Sequence, residues 1–334
     1  MPVVIEQFES EALKGNPLND PHIRKIPVYL PPSYRRDPDR RYPVVFMLHG
    51  FTGNSTMWLN VNSFYQPTVP ERFERLVSEK QSGEMILVFV DGFCGLGGSQ
   101  YVNSEATGFY EDYVIKELVP FIDGKFPTLG TADKRAVAGK SSGGFGAVYL
   151  ALRHPDVFSA FASHAGDMYF EYCYKLDFPK AINGLYRYQQ TPDPVGAFLS
   201  DFTLAEQKGK YLDTLNILAM AACYSPRAGG GFDLPFELKT GEIRPEVWQK
   251  WLEFDPVLML DKSEYLDALK SLKGRYLDAG SRDEFSLHLG ARIFTSKAAS
   301  LGVKVHHEEF DDGHMNINYR YDRSLAYIWQ TISG

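Results

Sequence analysis

The chain has 334 residues, 44% of them hydrophobic and 23% charged, which suits one large α/β domain with insertions or two domains with a sizeable core. Its net charge is −7, from 35 basic and 42 acidic residues, and its longest basic cluster is Lys208-Gly209-Lys210; this argues against nucleic acid or an anionic membrane as a partner. Three cysteines, Cys94, Cys173 and Cys223, with no CxxC pair, argue against a disulfide framework or a structural zinc site and favour a reducing compartment.

In chain order, "MPVVIEQFESEALKG" has acidic residues where a secretory leader needs a basic region and a long apolar run. No apolar stretch reaches the ~18 residues of a membrane span, so a cytoplasmic protein is expected. "IPVYLPP" (26–32) alternates like a strand and ends in a double proline. "YPVVFMLHG" (42–50) and "MILVFVDG" (85–92) are unbroken apolar runs closed by glycine, the pattern of strands buried on both faces. "RAVAGKS" (135–141), "FSAFASHAG" (158–166), "GRYLDAG" (274–280) and "VKVHHEEF" (303–310) continue the series. Helical spacing falls between them: "TVPERFERLVSEK" (68–80), "FYEDYVIKELVPFID" (109–123), "GFGAVYLALRHP" (144–155) and "RDEFSLHLGARIFTSKAASLG" (282–302). Alternating β and α elements predict a mostly parallel central sheet with helices on both faces.

One segment, about 168–262, breaks this rhythm. It is rich in aromatics, includes the loop "RAGGGFD" (227–233) and the helix-like "PEVWQKWLEFD" (245–255), and is too long for a plain loop. It reads as a helical insertion over one end of the sheet. Tyr169 and Phe170, nearest the end of the strand at 158–166, are expected to line a pocket beneath it; alternatively the aromatics form a small core of their own, or a contact between two copies of the chain.

"GKSSGGFG" (139–146) joins the strand at 135–141 to the helix at 144–155. The frame G-x-S-x-G fits only Gly139, Ser141 and Gly143; shifted by one, Lys140 would stand where a glycine must be, so Ser142 does not fit. A serine on such a strained strand-to-helix turn is exposed above the sheet as a nucleophile, and the next backbone N–H, that of Ser142, can donate to an oxyanion. A second donor should follow an earlier strand, and Phe51 in "HGFTG" (49–53) stands there; Trp58 beyond it reads as core or pocket wall. A serine needs a base. His314 in "DDGHMN" (311–316) follows the last strand and has the right place in chain order, with His164 the alternative and His49 a structural member of its loop. For the acid, Asp283 in "YLDAGSRDEF" (276–285) stands at a loop-to-helix junction, where it can reach a histidine or merely cap the helix. Glu284 and Asp167 are the alternatives, and Asp278 reads as a buried strand residue.

"YPVVFMLHGFTG", "FYEDYVIKELVPFID", "AVAGKSSGGFGAVYLALRHPDVFSAFASHAG", "YLDAGSRDEFSLHLGARIF" and "DDGHMNINYR" together resemble the esterase D or enterochelin-esterase-like family of α/β-hydrolases. That family also holds S-formylglutathione hydrolases, feruloyl esterase domains and mycolyltransferases. The resemblance implies a single α/β-hydrolase domain over 1–334 with an inserted cap at 168–262, a triad of Ser141, Asp283 and His314, oxyanion amides at Phe51 and Ser142, and neither metal nor organic cofactor. Two departures stand out: Ser142 replaces the large residue that many members carry after the serine, and HGFTG lacks the cysteine-containing loop of S-formylglutathione hydrolases. The expected activity is that of a serine carboxylesterase on a small-molecule ester. The alternatives are an acyltransferase sharing the same acyl-enzyme, or a feruloyl or acetyl esterase acting on a carbohydrate ester. A homo-oligomer stays open.

Overall fold

The apolar runs closed by glycine become the centre of one sheet. The computed structural model describes residues 3–61 and 65–334. Its strands are β1 (Val3–Glu9), β2 (Ile23–Tyr29), β3 (Val44–Leu48), β4 (Ile86–Val90), the short hairpin β5 (Asn103–Ser104) and β6 (Gly108–Phe109), β7 (Arg135–Lys140), β8 (Ala160–His164), β9 (Gly274–Gly280) and β10 (His306–Phe310). Eight of them form the main sheet in the order β1-β2-β4-β3-β7-β8-β9-β10. β2 pairs antiparallel with β1 and β4, and the rest of the sheet is parallel.

Every residue of β3 and β4 is buried, because helices cover both faces. Alternation sends Val44, Phe46 and Leu48 into one apolar layer and Val45 and Met47 into the other. Each fully buried side chain of this size contributes ~1.5–3 kcal/mol. The edge strands β1 and β10 are mixed in composition and partly exposed. The helix Val69–Ser78 opens on a reciprocal cap: the Glu71 N–H donates to Thr68 Oγ1 at 3.3 Å, and the Thr68 N–H donates to Glu71 Oε2 at 2.7 Å.

The predicted helix at 109–123 is split by a π-helical stretch, Tyr113–Leu118, in which the Val119 N–H reaches Val114 O. Pro120 follows and has no N–H to continue the regular ladder. The helix expected from 282 begins only at Leu287, since Ser286 takes a left-handed backbone, φ 60°. β1 and the C-terminal helix Tyr321–Ile332 are additional to the sequence expectations.

Between β8 and β9 the chain is helical, with Phe178–Tyr186, Pro194–Leu204, Leu212–Tyr224, Pro245–Leu252 and Ser263–Ser271 the longer pieces. It adds no strand to the main sheet. Among the described residues no helix is long and apolar enough to cross a membrane.

Candidate active site

Ser141 sits where β7 turns into the helix Ser142–Arg153, with φ 58° and ψ −127°, a conformation that strains a residue carrying a Cβ. The turn is held from both sides: the Ser141 N–H donates to His164 O at 2.9 Å, and Ser141 O accepts from the Phe145 N–H at 2.9 Å. Its flanking glycines are obligatory. A Cβ on Gly139 would lie 2.3 Å from Gly143 O, and one on Gly143 would lie 2.1 Å from Leu48 O.

His314 follows β10 on a loop that packs over the end of β9, where a Cβ on Gly280 would lie 2.3 Å from Asp312 O. Its Nδ1 is hydrogen-bonded to Asp283 Oδ2 at 2.8 Å, and both side chains are buried. Asp283 Oδ1 accepts from the N–H groups of Phe285 (2.9 Å) and Leu287 (3.3 Å). The carboxylate thus organises the approach to the following helix and faces the histidine at once; its two sequence readings are one arrangement. Glu284 serves the backbone instead, accepting the His314 N–H at 2.7 Å. The Phe285 ring meets the imidazole edge-on, centroids 4.9 Å apart.

Ser141 and His314 open on a cavity of about 480 Å³, lined also by Phe51, Ser142, Trp58 and Asp167. The N–H groups of Phe51 and Ser142 donate to no acceptor among the described residues. The Phe51 loop is shaped by the Thr52 N–H donating to Gly97 O at 2.7 Å and the Gly53 N–H donating to Gly50 O at 3.0 Å. His49 braces it from behind. Its Nε2 accepts the Gly92 N–H at 2.9 Å, so the proton lies on Nδ1, 2.9 Å from Gly50 O. Burial pushes its pKa down and keeps it neutral.

His164 points elsewhere. Its Nδ1 meets Asp278 Oδ1 at 2.6 Å and its Nε2 meets Ser324 Oγ at 2.8 Å, all three groups buried. None of these three residues lines the cavity on which Ser141 and His314 open. Burial opposes the Asp278 charge, but His164 and Arg320, whose Nε donates to Asp278 Oδ2 at 2.8 Å, hold its pKa below the usual carboxylate value. Asp167 does line the cavity. It accepts from Tyr174 OH (2.7 Å), Gln100 Nε2 (3.1 Å) and Ser142 Oγ (3.4 Å), not from His314, and burial pushes its pKa up.

Tyr169 and Phe170 are not brought to the cavity, contrary to expectation. The Asp255 carboxylate accepts both backbone N–H groups, at 3.0 and 2.7 Å, and Phe170 turns inward among Phe145, Tyr174 and Tyr224. The helical segment reaches the cavity through Cys173, Tyr174 and Asp177, and through Leu212, Asp213 and Asn216. Those residues escaped sequence reading because tertiary packing, not spacing, brings them together. Lys140 enters the sequence reading only as the residue that fixes the elbow frame, with no site role. It lines the cavity, forms no ion pair among the described residues, and burial pushes its pKa down to about 8 against the pull of Asp283 and Glu284.

Residues 21–320 match the model of the Esterase family ("Putative esterase"). Over 166 residues the chain is 29% identical to Esterase Rv1288 of Mycobacterium tuberculosis, covering 48% of this chain and 31% of that protein. Over 162 residues it is 27% identical to an endo-1,4-beta-xylanase/feruloyl esterase of Xylanibacter ruminicola, covering 48% of this chain and 21% of that protein. The matches thus span a third or less of these relatives' lengths. Solved structures share the fold end to end: a ferulic acid esterase at TM-score 0.64 and 20% identity, covering 99% and 98% of the two chains, and an S-formylglutathione hydrolase of Agrobacterium tumefaciens at 0.61 and 16%, covering 99% and 95%. With its α/β-hydrolase architecture and a family match over most of its length, the chain belongs to the Esterase family.

Proposed function

We propose that the protein is a serine carboxylesterase that hydrolyses a small-molecule ester through an acyl-enzyme on Ser141. The observation that carries this reading is the buried Asp283–His314 hydrogen bond opening on the same cavity as the strained Ser141. Ser141 Oγ attacks the ester carbonyl while His314 Nε2 takes its proton. The oxyanion rests on the Phe51 and Ser142 N–H groups, which have no competing acceptor among the described residues. His314 returns the proton to the departing alcohol. Water, deprotonated by His314, then attacks the acyl carbon, and Ser141 leaves with that proton as the acid is released. Asp283 holds the imidazole in one tautomer and stabilises its protonated form.

The helical segment at 168–262 acts as a cap: Cys173, Tyr174 and Leu212 supply an outer wall that shelters the acyl-enzyme. A carbohydrate ester is the second reading of the substrate, favoured by the match to a protein named as a xylanase/feruloyl esterase and by polar lining groups such as Asn216. An acyltransferase would use the same intermediate with an alcohol in place of water. The three free, buried cysteines support a reducing compartment, hence the cytoplasm.

The test is a panel of aryl esters of graded acyl length with three variants. Ser141→Ala should lower kcat by several orders of magnitude, and Asp283→Asn by roughly 10⁴-fold through loss of the correct tautomer. Ser142→Ala should change kcat far less, since its N–H remains. Near-normal turnover in Ser141→Ala would overturn the reading.

A further inference from the structure

His314 lies on a loop that is tied down differently on its two sides. Before His314 the ties are backbone hydrogen bonds: the Ser281 N–H donates to Phe310 O at 2.8 Å, and the Arg282 N–H donates to Asp312 O at 3.0 Å. From Met315 to Tyr319 no backbone group bonds to the backbone of another segment among the described residues. On that side the chain is fixed by side chains, the buried Ile317 and the buried Arg320.

The Arg320 Nε donates to Asp278 Oδ2 at 2.8 Å, and its Nη2 donates to Tyr276 OH at 3.2 Å and to Glu308 Oε2. The guanidinium also lies over the Phe310 ring, 4.4 Å from its centroid. Asp278 and Glu308 are register partners on β9 and β10. Two carboxylates side by side on neighbouring strands repel, and Arg320 supplies the positive charge they share. Glu308 and Phe310 precede His314 in the chain and Arg320 follows it, so the guanidinium closes the loop on its own start.

The same carboxylate refers that loop to the rest of the site. Asp278 Oδ1 meets His164 Nδ1 at 2.6 Å, and His164 O accepts the Ser141 N–H at 2.9 Å. Asp278 also stands five residues before Asp283 in the chain. Segments carrying all three triad residues thus converge on one buried carboxylate. Stability alone does not account for this, because a buried ion pair costs desolvation that its attraction barely offsets, and well-packed apolar side chains do as well. What apolar packing lacks is direction, which a planar guanidinium bonded to two carboxylates has.

Resting on the esterase reading, we propose that Arg320 is a positioning residue for His314: through Asp278 and Glu308 it closes the 311–320 loop and holds the imidazole in register with Asp283 and Ser141. It does not line the cavity, so its loss should lower kcat and leave KM nearly unchanged.

The test is turnover of para-nitrophenyl butyrate, with active sites counted by fluorophosphonate labelling run to completion, so that misfolded protein drops out. Arg320→Lys keeps the charge but loses the planar fork. It should lower kcat per labelled site by about tenfold or more, with KM within about twofold, since displacement of a catalytic group by about 1 Å costs up to about 10²-fold in rate. Glu308→Gln, at the partly exposed end of the network, should lower kcat by a smaller factor, and it gives the reading should Arg320→Lys fail to fold. In both variants the proton NMR resonance of the His314–Asp283 hydrogen bond should shift or broaden, which a purely stabilising role would not cause. Wild-type kcat per labelled site in Arg320→Lys, or in Glu308→Gln where it alone folds, would overturn the positioning role and leave the esterase reading intact, whatever the melting points. A lower kcat with that resonance unmoved would overturn it too. If wild type neither turned over the ester nor took the label on Ser141, the esterase reading would fail and the positioning role with it.

Discussion

Lys140 is held in a place that works against stability. Burial lowers its pKa to about 8 from an ordinary 10.5, so below pH 8 the folded state carries a charge that it solvates poorly. Between these two values the folded form is neutral while the unfolded form is still protonated, and stability rises with pH through that window. Lys140→Met should therefore melt above wild type at pH 7, by about 2 °C or more, and the gap should narrow as pH climbs past 8. Thermal melts of both proteins from pH 6 to 10 check this; a lower melting point for the variant at pH 7 would show that the ammonium has a stabilising partner. At this scale legibility followed covalent encoding. Ser141, Gly139 and Gly143 stand at fixed spacings set by one tight turn, so the sequence displays them directly. Tyr169 and Phe170 were placed by proximity to a strand end, which carries no information on side-chain direction. The Asp255 carboxylate, 85 residues further along from Phe170, fixes their backbone and sends Phe170 inward.

At the scale of elements, the approach of the elbow helix to β3 is the tightest constraint. Gly143→Ala would drive a Cβ to 2.1 Å from Leu48 O and 2.6 Å from Leu48 C, atoms of a central strand that cannot yield. The variant should lose several kcal/mol, or fail to fold, as overpacked cores do. Gly124→Ala meets nothing within 4 Å and should melt like wild type, giving the control. Similar melting points for the two would refute the role given to the close approach. The central strands were legible because a strand buried on both faces must be a continuous apolar run. β1 was not: "VVIEQFE" is an edge strand of mixed exposure and pairs only with β2, so its pattern is weak. The late start of the helix at Leu287 has a physical cause too. The Asp283 carboxylate takes the N–H groups of Phe285 and Leu287, and this stabilises a loop where helical spacing predicts a helix.

Across the whole molecule, the helices between β8 and β9 divide into an inner aromatic cluster and a cavity wall. Phe170 lies in the cluster with Phe145, Tyr174 and Tyr224, while Leu212 lies at the mouth, 36% exposed. Phe170→Ala should cost about 3–5 kcal/mol of stability and leave the relative rates on short and long acyl esters unchanged. Leu212→Ala should do the reverse, shifting the chain-length profile with less than ~1 kcal/mol of stability change. Denaturant unfolding and the ester panel, run on both, separate wall from core; a shifted profile in Phe170→Ala would reassign that residue to the wall. The sequence made the insertion visible as a break in β/α rhythm, but which of its aromatics face inward depends on contacts between segments far apart in the chain.

The proposed catalysis turns on a covalent bond to one oxygen atom. Wild-type protein mixed with para-nitrophenyl butyrate, quenched in acid within milliseconds and digested, should yield the peptide containing "GKSSGG" heavier by one butyryl group, with fragmentation placing it on Ser141. Asp283→Asn should carry the same adduct, formed more slowly. An adduct on Ser142, or undiminished turnover with no adduct at any quench time, would contradict the mechanism.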